Sequence, residues 1–365
     1  MKRVVLLLTI LGSVLVGVPQ AHGKPVAIVA VPVVDNPDAG VVAFTFLPDG
    51  RIVFGERFTG NVYFFNPVNG EKVLFFTVPN IVGGTERGLL GLAVHPRYPL
   101  SPYIYVYATR NQGGSAKNQI LRITNSGGQG TQPKVIWQSD VPSNIAHNGG
   151  RMLFGPDRKL YFVIGDAVNS ANSQDLTNDP GKVHRMTDRG GVPADNPFPG
   201  STIWSYGHRN HYGLDFDPLT GNLWQAENGP HCNDEINLIQ KGANYGWGPL
   251  SDVGDCAEPP PPPENTNQDG PNPVLPAAWF TPTVAPVGIV FCDGCGLADS
   301  EGTAFVGFFN IAVIERVVFT PDRLGIASVT PVYSHTEFSV ISFEAAPDGT
   351  IYFNDFNTIY KLADA

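Results

Sequence analysis

Positive charge is scarce in this sequence of 365 residues, above all in its C-terminal third. From residue 242 onward, three cations (Arg316, Arg323 and Lys361) stand against 15 acids, whereas the region from Lys24 to Lys241 holds 18 of each. A protein that binds nucleic acid or an anionic membrane surface needs a basic face. The composition therefore argues against nucleic acid and anionic membranes as partners.

Long apolar runs are also missing, apart from Val4–Val18, which follows Met1-Lys2-Arg3 and precedes Ala21-His22-Gly23. A basic start, an apolar run of this length and small residues at a cleavage point are typical of a secretory signal. An uncleaved N-terminal anchor is the alternative. We expect removal of residues 1–23 and a single domain over 24–365, secreted or periplasmic and without a membrane span.

Cysteine occurs at four positions only. Cys292-Asp-Gly-Cys295 has the spacing of a metal knuckle or a redox motif, but no second pair of this kind accompanies it. Because an exported chain reaches an oxidising compartment, two disulfides are expected instead. The simplest pairing is Cys232 with Cys256 and Cys292 with Cys295, although four cysteines allow three pairings.

No stretch shows the pattern of a long amphipathic helix; a strand–turn–strand phrase recurs instead. Its turns resemble Pro48-Asp49-Gly50, where proline fixes φ and glycine accepts a positive φ. The copies are Phe44–Phe54, Gly91–Tyr107, Met152–Phe162, Leu214–Trp224, Val287–Gly307 and Phe343–Phe353.

Six units at this period predict an all-β fold, a six-bladed β-propeller with four-stranded antiparallel blades around a channel. A β-sandwich would not explain six copies. The early strand Ala27–Val31 is expected to close the ring beside the last blade. Residues 252–276, with the run Pro259–Pro263, are interpreted as a proline-rich loop insertion.

Three polar, glycine-flanked stretches are candidates for chemistry: His147–Arg151 with Asp166, Gly207–Asn210, and Glu227–Asn237. Each alone has an ordinary structural explanation as a loop, a turn or a salt-bridged corner. Together, His147 and Asp166 bracket one hairpin and can meet at one end of a blade, where a carboxylate orients a histidine base. Arg209 and Asn210 offer donors to an anionic or carbonyl-bearing ligand.

Longer phrases in the sequence resemble the soluble glucose/sorbosone dehydrogenase family. The phrases are Gly88–Pro96, His147–Asp157, Gly207–Asn210, Asn233–Leu238 and Gly242–Trp247, and the resemblance runs from about Val41 to Leu362. Members of that family are exported six-bladed propellers that use pyrroloquinoline quinone (PQQ) and Ca²⁺ to oxidise aldoses to lactones.

The resemblance implies a role for each matching residue. His147 is the base that takes the proton of the anomeric hydroxyl, and Asp166 is the carboxylate beside it. The other implied roles are contacts to the cofactor for Glu86, Arg209 and Asn210, a further site acid at Asp234, carbonyl ligands of the active-site Ca²⁺ at Gly229 and Pro230, and a second, structural Ca²⁺ site at Glu235 and the Tyr245 carbonyl. The stretch Glu227–Asn237 is rich in the oxygen ligands that Ca²⁺ prefers, although it lacks EF-hand spacing.

One departure from the family pattern argues against the binding of PQQ. Asn310, Ser339 and Ile341 align with a lysine and two arginines that meet the three PQQ carboxylates in the family, and unpaired carboxylates are costly to desolvate. Arg87, Arg151 or Ca²⁺ are the candidates to replace them. The leading hypothesis is an exported PQQ-type oxidoreductase with a sugar substrate and an external electron acceptor. The alternatives are a non-catalytic Ca²⁺-binding propeller that binds sugars, glycans or a protein, and a hydrolase on the same fold.

Overall fold

A computed structural model describes residues 27–35, 40–251, 267–336 and 339–365. The predicted signal segment 1–23 and the predicted insertion up to residue 266, including Cys256, lie outside the described residues. The described part contains one short helix, α1 (Ala171–Gln174), and no helix in it is long and apolar enough to cross a membrane.

The described strands form six four-stranded antiparallel sheets, which confirms the predicted six-bladed propeller. Blade 1 contains β2 (Val41–Phe46), β3 (Ile52–Glu56), β4 (Asn61–Phe65) and β5 (Lys72–Thr77). Blade 2 contains β6 (Leu89–Val94), β7 (Tyr103–Gln112), β8 (Ser115–Ser126) and β9 (Gln129–Gln138). Blade 3 contains β10 (Met152–Phe154), β11 (Leu160–Ile164), β12 (Lys182–Met186) and β13 (Ile203–Tyr206).

Blades 4 to 6 follow the same order along the chain. Blade 4 contains β14 (Asn210–Phe216), β15 (Leu223–Asn228), β16 (Asp234–Ile239) and β17 (Ala278–Phe280). Blade 5 contains β18 (Pro286–Phe291), β19 (Ala304–Phe308), β20 (Val313–Phe319) and β21 (Ile326–Ser334). Blade 6 contains β22 (Ser342–Ala345), β23 (Ile351–Asn354) and β24 (Thr358–Asp364), together with β1 (Ile28–Asp35).

The N-terminal strand closes the ring, as the sequence predicts. β1 pairs antiparallel with β24, and its register sets Ile28 opposite Asp364 and Ala30 opposite Leu362. The outer strand of blade 6 therefore comes from the start of the chain, and the pairing ties the two ends of the described domain together.

The first strand of each blade lies nearest the propeller axis, and every residue of β18, for example, is buried. Apolar side chains from adjacent blades pack against one another between the sheets, which supplies the main stabilising burial. Turns of the repeat connect the first two strands, and Gly50 accepts a φ of 86° in one of them.

Blade 5 lacks the proline turn at this position. A disulfide between Cys292 and Cys295 spans the connection from β18 instead, which confirms that part of the predicted pairing. Cys232 is also disulfide-bonded, while its predicted partner Cys256 lies outside the described residues.

Candidate active site

Three loops from two neighbouring blades meet at Asp166, directly after β11. The Asp166 N–H donates to the Arg209 carbonyl at 2.7 Å. Gly165 makes this approach possible, because a Cβ there would lie 2.7 Å from the His147 carbonyl oxygen and 2.9 Å from that of Arg209. The glycine of this Gly-Asp pair thus brings the His147 and Arg209 loops to one place.

His147 and Asp166 form the predicted pair. The imidazole Nδ1 lies 2.6 Å from Asp166 Oδ1, and the carboxylate also accepts hydrogen bonds from the Val168 N–H (2.8 Å) and Trp247 Nε1 (2.9 Å). An ionised carboxylate only accepts, so Nδ1 carries the proton and Nε2 is left as the basic nitrogen. The arrangement is that of an oriented general base.

Arg209 lies on the same cavity. Its Nη1 donates to the carbonyls of Asn228 (3.0 Å) and Gly229 (2.7 Å), and its guanidinium lies 5.4 Å from the centre of the Trp247 ring. His147, Asp166, Arg209 and Trp247 line a cavity of about 230 Å³, which we call the base cavity. Trp247 therefore holds both the carboxylate and the cation, a role that no sequence pattern assigned to it.

A buried polar network supports Arg209 from behind. Glu227 accepts the Arg209 N–H with one oxygen, and its other oxygen lies 2.8 Å from His208 Nδ1. Burial alone would raise the pKa of Glu227, but His208, His211 and the Arg209 N–H hold that pKa below its ordinary value. Burial lowers the pKa of His211 to about 3, so this histidine is neutral.

His208, His211 and Glu227 also form the one group of three potential metal ligands in the described chain, with ligand atoms within 4.8 Å. Their atoms are already engaged, since His211 Nε2 donates to the Ile164 carbonyl at 2.9 Å and Ser205 Oγ lies 2.9 Å from His208 Nε2. We therefore assign the group a supporting role for Arg209.

A second cavity of about 350 Å³, the central cavity, adjoins the first. The border is narrow: the His147 N–H donates to Glu86 Oε2 at 2.6 Å, and Arg209 and Asn210 are consecutive residues on different cavities. Blades 1 and 4, with the loop that leads into blade 2, supply all of its polar residues except Asn310, namely Arg57, Thr85, Glu86, Asn210, Tyr212 and Asn228.

Two amides at the end of blade 4 have a buried oxygen without a hydrogen-bond partner among the described residues. They are Asn210 Oδ1 and Asn228 Oδ1, and the two residues stand opposite each other where β14 pairs with β15. Buried polar atoms are usually paired, so two adjacent exceptions mark an unsatisfied polar spot in residues that line the cavity. Asn210 fits its predicted contact role, and Asn228 was not anticipated.

Blades 5 and 6 line the central cavity differently. Their contribution is an apolar wall formed by Ala285, Val287, Phe309, Ile341 and Phe356, with the Asn310 amide at its edge. The rings of Phe309 and Phe356 meet edge to face at 6.1 Å. Asn310 and Ile341, two of the three positions where the family has cations, therefore border the cavity without charge.

The arginines expected to compensate are engaged elsewhere. Arg151 pairs with Glu344 at 2.6 Å, and Arg87 donates to the carbonyls of Asn144 (2.8 Å) and Ser143 (2.7 Å). Arg57 does line the central cavity, but its guanidinium donates to the carbonyls of Arg87, Gly84 and Thr85. Arg57 and Glu86 give the lining one cation and one anion.

Asp234 lies outside the lining of either cavity. Its carboxylate accepts the backbone N–H groups of Gly229 (2.7 Å), Val284 (2.6 Å) and Ala285 (2.6 Å), and burial raises its pKa to about 6. It therefore fastens the Gly229 loop to the start of blade 5, and its predicted role at the ligand stays a prediction.

The predicted metal ligands are only in part near the cavities. Neither Gly229 nor Pro230 is in the lining of a cavity, but the Gly229 carbonyl accepts from Arg209, which lines the base cavity. Glu235 accepts from Asn237 at 2.9 Å, and the Tyr245 carbonyl accepts from Asn267 at 2.7 Å. The two Ca²⁺ sites remain predictions.

The fold and this site define a β-propeller with an oriented histidine base and an arginine beside a central cavity. The family model described as glucose/sorbosone dehydrogenase matches residues 36–359. The chain belongs to this family.

Three similar proteins illustrate the family. Quinoprotein glucose dehydrogenase B of Acinetobacter calcoaceticus is 39% identical over 231 residues, which cover 55% of this chain and 48% of that enzyme. Aldose sugar dehydrogenase YliI of Escherichia coli is 32% identical over 221 residues, with 58% and 59% coverage. The PQQ-bound aldose sugar dehydrogenase of Streptomyces coelicolor superposes with a TM-score of 0.77 at 25% identity, covering 93% of this chain and 99% of that one. The matches span about half to three fifths of the length of these two curated relatives.

Proposed function

We propose that this chain is an exported sugar dehydrogenase that oxidises an aldose at its anomeric carbon and releases the lactone. The observation that carries the proposal is the placement of His147, Asp166 and Arg209 around one cavity that adjoins a second, ligand-sized cavity. Family membership supports the same activity. Export rests on the predicted signal segment 1–23, and it implies an external electron acceptor.

The chemistry follows from the contacts of the base. His147 Nε2 takes the proton of the anomeric hydroxyl, while Asp166 keeps Nδ1 protonated and stabilises the imidazolium that forms. As the C1=O bond forms, the hydrogen on C1 leaves as hydride to the electron acceptor. Arg209 places a fixed positive charge in the same cavity, where it would stabilise the negative charge that develops on the acceptor as the hydride is transferred.

Family membership makes PQQ the first cofactor to test, and when bound it supplies the two-electron acceptor for the hydride. The oxygen-rich end of such a quinone only accepts hydrogen bonds, and the donors near it are the Arg209 guanidinium and the Nδ2 groups of Asn210 and Asn228. The apolar wall does not fit three carboxylates. The lining therefore agrees with a quinone but not with the charge of PQQ.

The proposal also includes Ca²⁺, which the loop at Gly229 and Pro230 would bind. The Gly229 and Pro230 carbonyls would serve the active-site ion, and Glu235 with the Tyr245 carbonyl would serve a second one; all are oxygen donors of the kind that Ca²⁺ prefers. Arg209 donates to the Gly229 carbonyl, so an ion at Gly229 would share that oxygen with the arginine.

The test is a titration of the purified chain with PQQ and CaCl₂, followed by an assay of aldose-dependent reduction of an artificial electron acceptor over a panel of sugars. We expect sugar-dependent turnover that His147→Ala abolishes without a change in the thermal transition. No turnover with PQQ or any other quinone at micromolar concentration would overturn the proposal.

One observation favours a second function over the dehydrogenase. The uncharged Asn310 and Ile341 at the cavity are compatible with a non-catalytic Ca²⁺-binding propeller that has lost PQQ and binds sugars, glycans or a protein. Calorimetric binding of a sugar in the absence of turnover with every quinone would favour that function over the dehydrogenase.

A further inference from the structure

The apolar wall of the central cavity separates this site from one built for a multiply charged cofactor. Ala285, Val287 and Phe309 come from blade 5 and Ile341 and Phe356 from blade 6, and all five line the cavity. Ile341 is 5% exposed and belongs to a buried apolar cluster that Phe309 and Phe356 pack against. A ligand group on this wall exchanges water for aliphatic and aromatic surface.

We propose that the central cavity binds a carboxylate-free quinone, a naphthoquinone-like ring, in preference to PQQ, and that this ring is the hydride acceptor. The proposal rests on the proposed sugar dehydrogenase activity and names the acceptor class for that same site.

Among the described residues, the central cavity has no free cation in its lining to pair with a carboxylate of the ligand. Arg57 and Glu86 are the charged residues of the lining, and Arg57 already donates to three backbone carbonyls. Arg87 and Arg151 are held by other partners. An ionised carboxylate placed against the apolar wall would lose its hydration without gaining a cation, at a cost of several kcal/mol per group.

The neutral ring satisfies both sides of the cavity. Its apolar edge packs against the Phe309 and Phe356 rings, which gain from offset or edge-to-face contact. Its carbonyl oxygens lie toward the Asn210 and Asn228 amides, which can donate through their Nδ2 groups. The polar and apolar walls thus match the two parts of one ligand.

The reaction balances with this acceptor. The C1–H bond of the aldose breaks as hydride onto the quinone, the anomeric O–H proton passes to His147 Nε2, and C1=O forms in the lactone. The quinone gains the hydride and, by way of His147 and solvent, one proton, which yields the hydroquinone. The base cavity and the central cavity are neighbours, since Glu86 of one lining accepts the N–H of His147 in the other.

The experiment compares two ligands by calorimetry on the purified chain, in the presence and absence of CaCl₂: PQQ and 2-methyl-1,4-naphthoquinone. We expect the naphthoquinone to bind more tightly than PQQ and to be reduced in the presence of sugar. Tighter binding of PQQ, or no binding of the naphthoquinone, would overturn the inference. Binding of the naphthoquinone without its reduction would overturn its role as hydride acceptor and leave the binding preference standing, and the absence of turnover with PQQ as well would overturn the proposed function.

A charge-insertion variant sharpens the result. Asn310→Lys adds a cation at the edge of the apolar wall on an exposed side chain, so the fold should tolerate it. We expect PQQ affinity to rise by roughly tenfold to a hundredfold, the scale of a charge-assisted hydrogen bond, while naphthoquinone affinity does not rise. Ile311→Lys, at a residue that is 52% exposed and outside the lining, is the matched control. An equal gain in both variants, or no gain for Asn310→Lys, would contradict the role of the wall.

Discussion

The two sides of the central cavity differ in chemistry although the same four-stranded blade builds both. On the side of blades 1 and 4, Arg57, Glu86 and Asn210 present polar groups, and Glu86 accepts the N–H of the His147 base in the neighbouring base cavity. On the side of blades 5 and 6, Phe309, Ile341 and Phe356 present carbon surface. The blade scaffold fixes where side chains point, and the residues at the strand ends decide the chemistry.

The cation-poor C-terminal third explains part of this difference. Its three cations all lie away from the cavity lining: Arg323 pairs with Asp217, Arg316 donates to the Asp299 carbonyl, and Lys361 is on β24. The scarcity of positive charge in the C-terminal third thus accounts for the absence of a cation, within the described part of the chain, from the apolar wall of the central cavity, which blades 5 and 6 form.

The largest expected effect comes from the polar side. His147→Ala and Asp166→Asn should each lower kcat for sugar oxidation by about 10²–10⁴-fold, because the first removes the base and the second removes the acceptor that fixes its tautomer. Steady-state kinetics with a saturating quinone measure this. Asp175→Asn, a nearby exposed acid, is the control and should leave kcat unchanged; a loss below tenfold for His147→Ala would contradict the assignment of the base.

Arg209→Lys should have the next largest effect, a fall in kcat/KM by about 10²–10³-fold, which is the usual cost of removing one donor to a developing charge. Lysine keeps the charge but cannot donate to two carbonyls from one planar group and stack on Trp247. The matched control is Arg189→Lys, at a side chain that is 77% exposed. Equal activity of the two variants would show that the charge alone suffices.

The propeller was predictable because its signal is local and repeated. Turns of the Pro-Asp-Gly kind recur between two apolar strands, and the early strand expected to close the ring beside the last blade is β1, which pairs with β24. His147 and Asp166 were predictable for a similar reason, since one hairpin joins them.

The remainder of the site depends on contacts across blades. Trp247 reaches Asp166 over 81 positions of sequence, and Val42 and Phe356 share a cavity from opposite ends of the chain. The sequence showed that Asn310 and Ile341 are uncharged, but not that aromatic rings surround them. Such neighbours are set by the closure of the ring, which no short motif encodes.

A third prediction contrasts one asparagine on each side. Asn210→Leu removes a buried amide with an unpaired oxygen, so the free energy of unfolding should rise by about 1 kcal/mol while quinone affinity falls about tenfold. Asn354→Leu, in blade 6, removes an amide that accepts from Ser342 and donates to Val41 and Asp355. Denaturant unfolding should show it destabilised. A loss of stability in Asn210→Leu would mean that its amide is satisfied in the free protein.

The smallest expected effect is on the pH dependence of stability, and it comes from an ion pair that joins blades 3 and 6 across the propeller axis. Arg151, before β10, pairs with Glu344 on β22 at 2.6 Å, and burial raises the pKa of Glu344 from 4.5 to about 7 despite that cation. Between these two values the folded chain binds more protons than the unfolded chain, so stability should fall as pH rises from about 4.5 to 7.

Glu344→Gln removes that titration and should flatten this slope of the unfolding free energy, measured by denaturant titration at several pH values. Asp215, whose pKa burial raises to about 6, contributes a slope of the same sign that stays in the variant. Exposed Glu301→Gln is not a clean control because Glu301 accepts from the Gly294 N–H; Glu71→Gln, on an exposed turn, is preferable. A slope unchanged in Glu344→Gln would show that Arg151 keeps Glu344 ionised, and that the two sides are joined by an ion pair at every pH in this range.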